Sequence, residues 1–145
     1  MFEILIEKIK SILEANNLIQ EVYGYENESL QGDPVAIVTP SANESDYHST
    51  SENRRIYAFN IKLIVDRTTR GDKACESVLR ELCDSVLDDF DKNYMLSGIE
   101  QPTGYTMLFT EAMPSAWGYI ERESVYRVAE LNFRVHVDVD VNLIT

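Results

Sequence analysis

The chain is poor in the residues that do chemistry at neutral pH. It has 145 residues but only two histidines, two cysteines, one tryptophan, four prolines and six glycines. Gly24, Gly32, Gly71, Gly98, Gly104 and Gly118 fall one per turn, so no glycine-rich phosphate loop forms. No Gly-x-Ser-x-Gly elbow and no His-Glu-x-x-His pair occurs, and His48 and His136 supply few general bases. Positive charge is scarce too: 13 basic residues against 25 acidic give a net charge of −12. Such a surface repels phosphate backbones and excludes charge-driven DNA binding. No apolar run approaches the roughly 18–20 residues of a membrane helix. Met1-Phe2-Glu3 lacks the basic start of a secretory signal, so the expected compartment is intracellular.

Cys75 and Cys83 lie eight positions apart in a helical pattern. That spacing separates their Cα atoms by about 12 Å, beyond the roughly 7 Å reach of a disulfide, and no paired ligands accompany them for zinc. Two buried thiols are expected.

What remains is the balance of an ordinary folded chain, 44% hydrophobic and 26% charged, of a length that suits one domain over residues 1–145. Phe2, Leu5, Ile6, Ile9, Ile12 and Leu13 repeat with helical spacing, and Asn16-Asn17 suits a left-handed helix end. Val22–Tyr25 reads as a short strand, Gly32-Asp33-Pro34 as a turn and Val35–Thr39 as a buried strand. Ser41–Asn53 is polar throughout and reads as a long loop. From Arg55 to Asp66 apolar residues alternate with period two. A second helix follows, capped by Asp72, with Cys75, Val78, Leu79, Leu82, Cys83, Val86, Leu87 and Phe90 on its apolar stripe. Tyr105–Met113 reads as a strand ended by Pro114, and Trp117-Gly118-Tyr119 as a turn.

The final segment, Val125–Val141, alternates over a length that would extend about 56 Å, which predicts that it bends or projects to pair with a neighbouring subunit. The order of elements predicts an α+β fold, a mainly antiparallel sheet with two amphipathic helices on one face.

Three constellations carry candidate chemistry. His136, Asp138 and Asp140 share a strand face and offer metal-ligating atoms, the basis of an alternative reading as a metal-assisted hydrolase; a solvated strand face is the plainer one. Asp46, His48 and Ser49 have the side chains of a nucleophilic triad, but such close neighbours seldom point at one spot. Glu81, Asp84, Asp88, Asp89 and Asp91 form an acidic helix face, with charges at the negative end of the helix dipole. That face either solubilises the chain or meets a partner's basic patch. A small-molecule site between helices and sheet is a further alternative.

Asn43-Glu44-Ser45-Asp46-Tyr47, Arg55-Ile56-Tyr57-Ala58-Phe59-Asn60, Ser85-Val86-Leu87-Asp88-Asp89-Phe90-Asp91, Pro102-Thr103-Gly104-Tyr105 and Pro114-Ser115-Ala116-Trp117-Gly118-Tyr119 together resemble the tail terminator, or tail completion, proteins of tailed bacteriophages. The resemblance implies an α+β subunit of a ring, commonly a hexamer, that caps the tail tube, stops its growth and offers a docking surface to the head. It implies no cofactor and no catalytic residue. The implied partners are copies of the chain, the tube protein and a head-completion or neck protein, with DNA only as a passenger and no membrane. The implied place is the virion tail, assembled in the host's cytoplasm. A head-to-tail connector would share these features.

Acidic and basic residues balance only over residues 33–70, where Arg54, Arg55, Arg67 and Arg70 are candidates to meet a neighbour's acidic surface. Asp46, Tyr47, Trp117 and Tyr119 are further candidate contacts, chosen for loop length and aromatic content.

Overall fold

The computed structural model describes residues 1–47 and 51–144, with the backbone alone for 42–44, 46 and 47. Its elements run α1 (Phe2–Glu14), β1 (Glu21–Tyr23), β2 (Val35–Tyr47), β3 (Glu52–Asp66), α2 (Arg67–Arg70), α3 (Asp72–Lys92), β4 (Tyr105–Glu121) and β5 (Val125–Asp140). The strands form one sheet in the order β1-β2-β3-β5-β4, antiparallel except for the short β1–β2 pair. The α+β expectation holds, with the one-turn α2 added to the two long helices.

Helices and sheet meet through the alternation read in the sequence. Leu5, Ile9 and Leu13 of α1 and Leu79, Leu82, Val86 and Phe90 of α3 pack on Phe59, Ile61 and Leu63 of β3 and on Leu131, Phe133 and Val135 of β5. Fully burying each such side chain contributes about 1.5–3 kcal/mol. The opposite sheet face holds a smaller cluster of Val35, Ile37, Ile64 and Val128, flanked by Tyr23, Leu30, Ile120 and Tyr126. Lys62 reaches Glu26 there at 2.7 Å, and Arg122 donates to the carbonyls of Asn27 and Glu28, so the β1–β2 connection covers that end of the face.

Several boundaries differ from expectation. The end of α1 is not left-handed: its C-cap is Ala15, in the right-handed region. Asn16 acts instead through its buried amide, whose Oδ1 accepts from the Leu18 amide and whose Nδ2 donates to Ser85 Oγ at 3.0 Å and Asp89 Oδ2 at 2.8 Å. The side chain thereby pins the end of α1 to α3. Asp72 does not cap α3: Gly71 occupies the N-cap and the Asp72 carboxylate takes the Arg67 Nε at 2.6 Å. Asp66 does cap, on α2, by accepting from the Thr69 amide.

The segment read as a loop over Ser41–Asn53 is largely hairpin, with β2 reaching Tyr47 and β3 beginning at Glu52. Its register shifts between Pro40 and Asn43, then Glu44 stands opposite Ile56 and Asp46 opposite Arg54. Polar composition hid the strand, which is set by its pairing to β3.

Pro114 does not end β4, and Trp117-Gly118-Tyr119 is not a turn; the strand continues to Glu121, with register shifts between Met107 and Phe109 and between Pro114 and Ala116. Since β4 is an edge strand, a proline beside a bulge forfeits little of the ladder.

The final strand neither projects nor awaits a neighbour. β5 is interior and pairs with β3 from Tyr126 to Asp140 and with β4 from Val125 to Val139. Its two partners, of 15 and 17 residues, nearly match its 16, so the chain satisfies its ladder internally. The open edges are the outer sides of β4, of the short β1 and of β2 beyond Ile37.

Candidate assembly surface

The sheet geometry sorts the candidate residues by face. Neighbouring strand residues point oppositely, so Arg54 and Arg55 cannot serve one contact. Arg54, on the face away from the helices, pairs with Asp138 at 3.3 Å. Arg55, on the helix side, donates to the hydroxyls of Tyr57 at 3.3 Å and Tyr105 at 3.0 Å, and these bonds, Tyr57's first, raise its pKa above the ordinary value. Arg70 holds Asp33 at 2.9 Å. These three arginines bind within the chain. The backbone of Asp46 and Tyr47 lies in β2 and their side chains lie outside the described atoms, as do His48 and Ser49 entirely.

The metal-ligand reading of His136, Asp138 and Asp140 is overturned. His136 is buried, stacks on Phe109 with ring centres 4.1 Å apart and sets Nε2 2.6 Å from Glu111 Oε1. Asp138 is committed to Arg54, and Asp140 Oδ1 accepts from the Asn142 amide. Among the described residues no group of three His, Cys, Asp or Glu side chains is placed to hold a metal ion. The space between helices and sheet is likewise filled by core side chains, against the small-molecule alternative.

Cys75 and Cys83 are buried and unbridged. Burial raises both thiols above their ordinary value of 9.0, with smaller contributions from Glu76 beside Cys75 and Asp84 beside Cys83. The folded chain therefore keeps protons that the unfolded chain surrenders at alkaline pH. This contribution to stability is intact below the ordinary thiol value and is lost as pH rises through the raised ones. Both thiols should resist an aromatic disulfide reagent at about pH 8 and react fully in denaturant. Stoichiometric labelling of the native chain within minutes would contradict the burial.

The side chains that do converge lie where β4, β5, α2 and the start of α3 meet. Trp117 and Tyr119 share the helix-side face of β4, opposite Ala129 and Arg127 of β5. The Arg127 guanidinium lies 4.5 Å from the Tyr119 ring centre and 5.8 Å from that of Trp117. It donates to Glu76 of α3 and to the Gly118 carbonyl at 3.0 Å. Arg67 approaches the Tyr119 ring at 5.5 Å, and its bond to Asp72 raises its pKa. The aromatic rings stay 45% and 58% exposed, so the arginines orient them without covering them. Trp117, Tyr119 and Arg67 were expected contacts. Arg127 and Glu76 were missed: each is a charged residue at an ordinary polar position, and only the fold sets them beside the rings.

On α3 itself, Glu81, Asp84, Asp88 and Asp91 are exposed, whereas Asp89 turns inward to Asn16. The acidic face therefore consists of four carboxylates.

This chain matches no protein-family profile, and no curated protein matches it. Among solved structures, a chain of the virion of a native gene transfer agent particle has the same fold. The TM-score is 0.52 at 15% identity, over 92% of this chain and 94% of the other. Among the described residues no helix is long and apolar enough to cross a membrane.

Proposed function

We propose that the chain is a structural subunit of a phage-like virion, a tail terminator that joins a ring, a hexamer by the family resemblance, on the end of the tail tube. Bound there it ends polymerisation and presents a docking surface to the head, without catalysis or cofactor. The observation that carries the reading is the fold shared, nearly end to end, with a chain of a gene transfer agent virion. The converged surface agrees with it: exposed aromatic rings steadied by arginines suit protein contact, since Trp, Tyr and Arg dominate interface energetics. The net charge of −12 suits a ring through which DNA passes, because anionic walls do not retain phosphates.

Electron microscopy of tubes polymerised from the particle's own tube protein tests the proposal. Added chain should give tubes of bounded length with extra density at one end. Tubes that lengthen as in its absence, with bare ends, would exclude a terminator.

A further inference from the structure

The exposed stripe of α3 changes sign along its length. Lys73, Ser77 and Arg80 open it and Asp84, Asp88 and Asp91 close it, all six exposed and on one side of the helix by their spacing of three or four. The basic half adjoins the aromatic corner: Glu76 takes Arg127 and also Arg80, the latter at 3.5 Å with the Arg80 side chain 72% exposed. Beside it lies a cleft of 580 Å³ lined by Asp72, Lys73, Glu76, Ser77 and Arg80. The acidic half has no counterpart. Asp84, Asp88 and Asp91 make no ion pair among the described residues, and Asp91 sits in the last turn, where the helix dipole is already negative.

We propose that the corner of Trp117 and Tyr119, with Lys73 and Arg80 at its rim, seats the acidic half of α3 from a second copy of this chain, joining copies head to tail. The inference rests on the ring reading and names the contact that would build the ring. Two features favour a second copy over another partner. The acidic and basic halves complement one another, and although Arg80 and Asp84 lie one turn apart, Lys73 stands about 17 Å from Asp84 and about 27 Å from Asp91 along one rigid helix, too far for the outer charges to neutralise each other within a chain. The rings supply what exposed ion pairs lack. Isolated surface pairs contribute little, whereas desolvated Trp and Tyr anchors, already oriented by Arg127 and Arg67, bind without a large ordering cost. Two complementary patches on one helix face pair either twice over in a twofold dimer or once per contact, head to tail; the arrangement proposed is head to tail, which closes a ring when its rotation divides a full turn.

The test uses the intact chain and two double variants, Lys73→Glu with Arg80→Glu and Asp84→Lys with Asp88→Lys, all at exposed positions and checked for unchanged thermal unfolding. Native mass spectrometry and sedimentation should show the wild type growing beyond two copies, with an apparent Kd raised at least about tenfold between low and high salt. Each double variant alone should fail to assemble, because its two patches then carry one sign. An equimolar mixture of the two should assemble again. Variants that assemble like the wild type would overturn the contact while leaving the ring reading standing. Growth that stops at two copies would overturn the head-to-tail arrangement. A wild type that stays monomeric at about 0.5 mM would overturn the contact, and tube capping would then judge the ring reading separately.

Discussion

Replacing Phe133 by alanine should destabilise the chain by about 3–5 kcal/mol, a large share of the roughly 5–15 kcal/mol that holds a domain of this size. Phe133 is fully buried on β5 and its ring meets that of Phe90 on α3 edge to face, with centres 4.5 Å apart and planes at 87°. This pair fastens the long helix to an interior strand of the sheet. Neither the helix nor the strand can slide to refill the space, because α3 is also tied to α1 through Asn16 and β5 is hydrogen-bonded on both sides. The lost area therefore comes with a residual cavity. Urea unfolding followed by circular dichroism should show the midpoint falling with the slope unchanged, and the melting temperature falling by roughly 10–15 °C. A double-mutant cycle with Phe90→Leu should return a coupling of about 0.5–1.5 kcal/mol beyond area burial. A loss below about 1 kcal/mol for Phe133→Ala would mean the helix does not rest on this strand as described.

Arg127→Ala should cost about 2–3 kcal/mol, more than the near-zero change of an ordinary surface arginine. Its side chain is only 16% exposed and serves four partners at once: Glu76, the Gly118 carbonyl and the rings of Tyr119 and Trp117. Truncation leaves a half-buried carboxylate and a carbonyl unpaired and frees two aromatic rings. Trp117 is the only tryptophan, so its emission reports directly on this corner. Expected are a shifted emission maximum in the folded state and a lower urea midpoint. Arg127→Lys should recover little, since an ammonium cannot present a planar fork to two acceptors while stacking on a ring. Full recovery by lysine would show that charge alone, not the fork, matters here.

Much of the fold was legible because it is written locally. The α3 stripe from Cys75 to Phe90 and the alternation of Tyr57, Phe59, Ile61 and Leu63 each announce a buried face without reference to the rest of the chain. What escaped depended on pairing. Pro114 and Gly118 are turn-forming residues by composition, and they fit a strand only because β4 lies at the sheet's edge, a fact of strand order that no local window contains. The polar run after Pro40 is strand because β3 continues beside it. The length of the final segment predicted a need for partners, which it has; they turned out to be β3 and β4 of the same chain. Asn16 suggested a backbone turn, whereas its amide works at a distance, on residues of a helix 69 and 73 positions later.

The same separation shaped the assembly surface. Trp117, Tyr119 and Arg67 drew notice as exposed residue types, but Arg127 gained its part only when β5 was laid against β4. Arg54, Arg55 and Arg70 looked equally available until the fold gave each an internal acceptor or counter-ion.

The place of β5 between β3 and β4 also governs the order of events during synthesis. Of the sheet's strands it is the last to be translated, yet it joins the β2–β3 hairpin to β4. While it is still inside the ribosome, β4 has no neighbour to bond and β3 presents one bare side. The nascent chain can therefore gather only its N-terminal half, and the sheet closes in a late step, when β5 slots in and both halves are secured together.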